Sequence, residues 1–255
     1  MGSARKKHKK ESSSVQASPS QAGQGVLLCL VLAVTFLAFV PTLNHSIAVW
    51  DDDGHLRKNE DVRSLSLSNI KRIFTNTVNA TYIPLTTLSF ALEYHFFKYK
   101  PFIYHFNNIL LHLGVTALVF FFVKRCGASV RVAALAALIF GIHPMKVESV
   151  AWVTERKDVL YAFFYMLALH QYWSYLEEGR ARPYMLSLVF GLLSILAKPM
   201  AVSLPLIFFV CDWMYRRRIT WSMVVDKAGY FLYIIPIAWI TYTQNARAVG
   251  HNLYD

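Results

Sequence analysis

VLLCLVLAVTFLAFVPTL, Val26 to Leu43, carries no charge from end to end. A helix needs roughly 20 apolar residues to cross the hydrocarbon core, so this run is about long enough to span a bilayer. It is too long for a signal-peptide core and has no clear small-x-small cleavage site, which makes it an uncleaved anchor. A few residues further on stand three consecutive carboxylates, Asp51, Asp52 and Asp53, directly behind Trp50. They emerge at a membrane face, with the indole at interfacial depth. Three like charges in a row repel unless a cation, a hydroxyl donor or water offsets them. The trio therefore directs attention to chemistry at the membrane surface.

The remainder of the chain has the same character. Of 255 residues, 55% are hydrophobic and only 16% charged, against about 25% charged in a soluble domain. Mean hydropathy is +0.36. Apolar segments recur along the whole length, so the chain reads as one integral membrane domain, residues 26–243, with no separate soluble one. The net charge is +11, but the basic residues mark the ends of apolar segments instead of one surface. Membrane topology explains them, and nucleic acid is not expected as a partner. Residues 1–25 hold the basic run Arg5 to Lys10 and a Ser/Gln/Pro/Gly linker, expected to be a disordered cytoplasmic tail. Cys29, Cys126 and Cys211 fall near one side of the membrane and imply no disulfide framework.

Seven spans are predicted: Val26–Leu43, Phe102–Val123, Val132–Ile142, Val159–Leu176, Tyr184–Ala197, Ala201–Tyr215 and Gly229–Thr243. Lys198-Pro199 separates the fifth from the sixth, both short enough to form a kinked or re-entrant pair. The first loop, 44–101, is large. Within it Leu85, Leu88, Leu92 and Phe96 share a helical stripe after Pro84, which predicts an amphipathic helix lying on the membrane. Basic residues in the short loops, Lys124, Arg125, Arg131, Arg180, Arg182 and Arg216 to Arg218, place those loops in the cytoplasm. The aspartate trio then faces outward, as does a C-terminal tail at 244–255. The fold class is all-α, a polytopic membrane helical bundle.

Polar residues inside spans are costly and face a cavity or a neighbouring helix. His105, Asn108 and His112 recur at i, i+3, i+7 and share one face. Histidines seven apart lie about 10 Å apart along a helix axis, so one ion cannot take both unaided. Together with His143 they are read as hydrogen-bonding groups among packed helices, and no metal site is assigned. The segment HPMKVESVAWVTERKD, His143 to Asp158, lies on the same side as the aspartates. A short helix over Val147–Glu155 would align Glu148, Trp152 and Glu155, an arrangement suited to a sugar and equally to an interfacial anchor. Arg156, Lys157 and Lys198 supply cations on that side, suited to a lipid phosphate or to snorkelling among headgroups. No phosphate-binding P-loop, dinucleotide fingerprint or serine nucleophile elbow occurs.

WDDDGHLRKNEDV, YIPLTTLSFALEY, YHFNNILLH, FGIHPMKVESVAWVTERKDVL and LAKPMAVSLPLIFFVCDW follow one another in that order between Trp50 and Trp213. Together they resemble the bacterial branch of the membrane glycosyltransferases that carry tetratricopeptide repeats, relatives of the transmembrane and tetratricopeptide repeat-containing O-mannosyltransferases. The resemblance covers about Val49 to Arg218. It implies a GT-C-like bundle with a large first extracytoplasmic loop. It also implies transfer of a sugar from a polyprenyl-phosphate carrier to a protein or glycan acceptor on the outer face. The family's acidic pair matches Asp51 and Asp52, one of them the general base, with Asp53 an additional acid. The family's second motif matches His143, Pro144, Glu148, Arg156 and Asp158. Where the eukaryotic pattern has an arginine before the loop-helix proline, this chain has Ile83. Members of the family continue with further spans and then the repeats, whereas this sequence ends at Asp255, as a fragment or a truncated relative would.

The expected enzyme thus uses Asp51 or Asp52 as catalytic base. Asp53, His143, Glu148, Trp152, Arg156, Lys157, Asp158 and Lys198 are the binding residues. The pattern assigns no particular cofactor, and a divalent cation is compatible with it. Its partners are a lipid-linked sugar donor, the acceptor and membrane lipids, in a bacterial inner membrane facing the periplasm or in the endoplasmic reticulum membrane. Rival readings are a non-catalytic membrane scaffold and a transporter lined by His105, Asn108 and His112.

Overall fold

The computed structural model describes residues 21–48 and 51–252; the basic run Arg5 to Lys10, Trp50 and the last three residues lie outside these. Ten α-helices follow in order: α1 Gln21–Phe39, α2 Leu67–Thr75, α3 Pro84–Phe97, α4 Pro101–Arg125, α5 Val130–Ile142, α6 Lys146–Ala151, α7 Arg156–Glu178, α8 Ala181–Ala197, α9 Leu204–Met214 and α10 Trp221–Asn252. The described residues contain no β-strand beyond a single bridge between Val78 and Thr81. The protein is an all-α membrane bundle.

Seven of these helices, α1, α4, α5, α7, α8, α9 and α10, coincide with the seven apolar segments. Among the described residues three stretches are both long and apolar enough to cross a bilayer: Gly23–Asn44, Pro101–Arg125 and Trp221–Gln244. The apolar helices at Val130–Ile142, Ala181–Ala197 and Pro199–Met214 are shorter. At 1.5 Å per residue α9 reaches only about 16 Å, half the hydrocarbon thickness. Between α8 and α9 the chain turns through a short 3₁₀ segment, Pro199–Ser203, begun by a proline at a position that needs no N–H. α10 passes through Pro236 without ending and runs on as helix to Asn252.

Local chemistry sets the remaining boundaries. Ser66 and Ser129 cap α2 and α5 through their side-chain oxygens, and Pro84 and Pro101 start α3 and α4. Gly179 closes α7 at φ 65°, a backbone region that side chains disfavour, and so permits the tight α7–α8 hairpin. α1 packs on α4 and α5, and α4 in turn on α7. At the α1–α5 crossing a side chain on Gly141 would run into Thr35, so glycine sets that separation. The largest core cluster joins α7, α8, α9 and α10 around Tyr172, Ile195, Phe208 and Tyr230.

At the α7–α9–α10 end the core takes in charge. Asp212 and Lys227 form an ion pair, 0% and 1% exposed, which the Tyr172 hydroxyl joins at 3.1 Å from Asp212. In α3 the apolar stripe Leu85, Leu88, Leu92 and Phe96 is the less buried side, whereas Thr86, Thr87, Phe90 and Glu93 face inward. The helix thus turns its polar groups to the bundle. Thr86 Oγ1 donates to the Ala197 carbonyl at 3.0 Å and ties α3 to the end of α8, next to Lys198.

Candidate functional site

One hydrogen bond assembles the site. The Thr154 backbone N–H donates to Asp52 Oδ1 at 3.0 Å across 102 residues, joining the first loop to the α6–α7 connection. Asp52 Oδ2 accepts the Ala48 N–H at 2.9 Å, and the residue is fully enclosed. Asp51 is only half-buried, and among the described residues its carboxylate accepts no hydrogen bond and forms no ion pair. Asp53 pairs with Arg57 at 3.4 Å and Lys58 at 3.9 Å, on a wide helical turn closed by Lys58 N–H to the Asp53 carbonyl. The three aspartates thus fall into three environments.

The α6–α7 connection departs from the expected helix over Val147–Glu155. α6 ends at Ala151, and Trp152 is extended. Tertiary hydrogen bonds compete with the helical ones here. Asn108 of α4 donates toward the carbonyls of Trp152 at 3.1 Å and Val150 at 3.3 Å, while Asp52 holds the Thr154 N–H. The result separates the residues that a continuous helix would align. Glu148 and Trp152 line a cavity of 390 Å³ with Asp52 and His105. Glu155 turns away, to Lys157 at 2.8 Å and Lys198 at 3.8 Å.

Arg156 is a correction to the sequence reading. It is 2% exposed and cannot serve as an accessible phosphate ligand. Its guanidinium donates to Asn108 Oδ1 at 2.6 Å and the Tyr104 carbonyl at 2.7 Å, pairs with Glu93, and lies 5.0 Å from the Phe90 ring centre. Burial pushes the Glu93 carboxyl up, with Arg156 opposing. Sequence alone cannot show this, because the partners come from two distant segments, α3 and α4. Ile83, at the position of the family's loop arginine, is itself buried and brings no cation.

Lys157, Lys198, Glu155 and Asp158 form a compact two-plus, two-minus group. Lys198 pairs with Asp158, which also accepts from Ser149 Oγ at 3.0 Å. Below it a groove of 310 Å³ runs between α4, α5, α7 and the 3₁₀ turn. Apolar side chains such as Val115, Phe140 and Met166 line it, together with the polar Lys146, Ser149 and Asp158. Lys146 was not singled out from sequence. Among the described residues it pairs with no carboxylate, and its ammonium lies over the Phe140 ring at 4.9 Å. Its signal was present in its place beside Pro144 on the motif. His143 is exposed, and its Nδ1 accepts the Met145 N–H at 3.2 Å, so it caps the turn into α6.

The His112 Nε2 lies 2.8 Å from the Gly141 carbonyl, as expected for a group that joins packed helices. Among the described residues no three His, Cys, Asp or Glu side chains converge as a metal site.

His55 is a further buried residue that the sequence did not mark. Burial and the nearby Lys157 ammonium push its imidazole down to about 4, with Asp51 opposing. A histidine that resists protonation only when folded contributes stability that is present above its ordinary value of 6.5 and lost as pH falls toward 4. Between pH 7 and 4.5 the loss from this group should be about 2–3 kcal/mol. His55→Gln should flatten the acid limb of a thermal-stability profile by that amount; an unchanged profile would show that His55 is not held neutral.

No family model and no solved structure matches the chain. Curated proteins do. Protein O-mannosyl-transferase Tmtc1 of Drosophila melanogaster is 30% identical over 189 residues, 71% of this chain and 22% of that protein. Human protein O-mannosyl-transferase TMTC4 is 29% identical over 184 residues, 61% and 25% of the two chains. Mouse TMTC3 is 27% identical over 197 residues, 72% and 21%. The chain is related to the TMTC family. It spans about a fifth to a quarter of the length of these TMTC relatives.

Proposed function

We propose that the chain is the membrane part of a GT-C-type glycosyltransferase. It moves a sugar, mannose by kinship, from a polyprenyl-phosphate carrier to a hydroxyl on a protein or glycan acceptor. The observation that supports this reading is the Asp52–Thr154 bond, which holds the acidic loop against the 143–158 motif. The reaction side is the non-cytosolic face, periplasmic in a bacterium or lumenal in the endoplasmic reticulum.

In this reading Asp51 takes the proton of the acceptor hydroxyl, whose oxygen attacks the anomeric carbon. The bond from that carbon to the phosphate oxygen breaks, and its electron pair leaves on the phosphate. Asp52 is the anchor, since both its oxygens already hold backbone N–H groups. Lys146 and Lys198 border the carrier phosphate, with Lys157 behind, where cations stabilise developing negative charge. The 310 Å³ groove seats the proximal part of the isoprenoid chain. Glu148 and Trp152 contact the sugar.

The test incubates membranes holding the full chain with tritiated mannosyl-phosphoryl-polyprenol and a threonine-rich peptide. Label on the peptide is the expected result. Carrier binding without transfer would favour a non-catalytic scaffold, a reading supported by the paired state of Lys157 and Lys198. Neither binding nor transfer would overturn the proposal.

A further inference from the structure

The end of the bundle away from Asp52 carries a surplus of positive charge. α7 starts at Arg156 in the site, and its 23 residues carry it about 35 Å, to Glu178. At that rim the acids already have partners. Glu177 holds Arg125 at 2.5 Å, Glu178 holds Arg180 at 3.4 Å, and Asp226 holds Arg217 at 2.6 Å. Asp212 is enclosed with Lys227. Arg131, Arg182, Arg216 and Arg218 are exposed, and among the described residues none of them forms an ion pair. The start of α1 reaches the same rim, where Gln24 accepts from Lys124, and in the sequence it follows the basic run Arg5 to Lys10.

Of these four arginines, Arg216 borders a cavity of 250 Å³, with Tyr175, Leu176, Tyr215 and Arg217. The turn out of α9 sets Arg216 at φ 57°, a region that side chains disfavour. The C-terminal ends of α7 and α9 would favour a cation here, but the Gly179, Tyr215 and Arg217 N–H groups cap the Tyr175, Cys211 and Asp212 carbonyls. Arg217 is already paired, so Arg216 brings the uncompensated charge to the cavity. The same turn shows large apolar side chains to the outside: Trp213, Ile219 and Trp221 are 78%, 89% and 81% exposed. Indoles at the ends of spanning helices sit at headgroup depth. The cavity therefore lies where lipid phosphates lie.

We propose that the cavity beside Arg216 holds the headgroup phosphate of an anionic phospholipid, with Arg218 adding charge at the same turn. Basic pockets at the cytoplasmic ends of spanning helices suit anionic headgroups, and in the topology read from the basic loops this rim faces the cytoplasmic leaflet. A zwitterionic headgroup brings its own ammonium, which the surplus arginines repel. A free phosphate meets the same guanidinium but has no acyl chains for Trp213, Ile219 and Trp221 to hold. The site is separate from the transfer site, so loss of lipid binding would leave the glycosyltransferase reading intact.

The experiment uses the full chain in delipidated detergent micelles, with native mass spectrometry as readout. Dioleoyl phosphatidylglycerol is titrated against dioleoyl phosphatidylcholine, and inorganic phosphate serves as the free anion. Wild type should retain phosphatidylglycerol in preference to phosphatidylcholine, and inorganic phosphate at equal concentration should not displace it. Arg216→Gln should weaken phosphatidylglycerol binding about fivefold, and Arg216→Gln with Arg218→Gln about 25-fold, whereas Arg216→Lys should keep most of the affinity. Without lipid, the glutamine variants should melt at the wild-type temperature, since neither arginine forms an ion pair among the described residues. Equal retention of the two lipids, displacement by inorganic phosphate, or unchanged binding by the double variant would each overturn the proposal. A lowered melting temperature of the lipid-free variants would overturn it as well, by showing that the arginines hold the turn itself.

Discussion

Replacing Arg156 with methionine is expected to unfold the bundle more readily than any other single change at the candidate site. The guanidinium is enclosed by Glu93, Asn108 and the Tyr104 carbonyl, and it stands at the first turn of α7. Methionine fills much of the volume but leaves the Glu93 carboxyl buried without its counter-charge. Breaking a buried pair in this way costs about 3–5 kcal/mol. Glu93 keeps Asn107 as a partner at 2.5 Å, which softens the loss without removing it. The double variant Glu93→Gln with Arg156→Met should recover part of the deficit, because no lone charge remains. Thermal melts in detergent check both. A melting temperature unmoved by Arg156→Met would mean that the clamp among α3, α4 and α7 does not exist.

The second large effect separates two neighbouring aspartates. Asp51→Asn should lower mannosyl transfer by about 10²–10⁴-fold, the usual contribution of a positioned base. Its melting temperature should stay at the wild-type value, since among the described residues no hydrogen bond holds that carboxylate. Asp52→Asn should lower both. An amide offers one oxygen where Asp52 uses two, so the Ala48 or Thr154 N–H would face an amide N–H₂. An orphaned buried donor costs about 1–3 kcal/mol. Normal transfer by Asp51→Asn would remove it as the base.

The helices were legible because apolar runs and caps are local. The seven apolar segments and the shared face of His105, Asn108 and His112 follow from hydropathy and periodicity, and Pro84 marks the start of α3. The α6–α7 connection was not legible, because its path is set by Asp52 and Asn108 from distant segments, which take the hydrogen bonds a longer helix would need. Arg156 looked like a surface cation for a related reason: its partners lie 48 to 63 residues away. Lys146 was hidden by the opposite circumstance. It stands in the motif, yet nothing in its spacing tells that Lys157 and Lys198 are already paired and that it is not. The stripe of α3 was legible as well, since Leu85, Leu88, Leu92 and Phe96 lie on its less buried side; the threonines and Glu93 that pack inward carried no such local signal.

Compartment labelling bears on the whole account most directly. In a chain with Cys29, Cys126 and Cys211 replaced by serine, a single cysteine is placed at Asp53, Glu148 or Arg180. A membrane-impermeant maleimide applied to the non-cytosolic side of intact membranes should label the first two and reach the third only after permeabilisation. Labelling of Asp53→Cys and Glu148→Cys from opposite sides would contradict a shared site and remove the basis for transfer there.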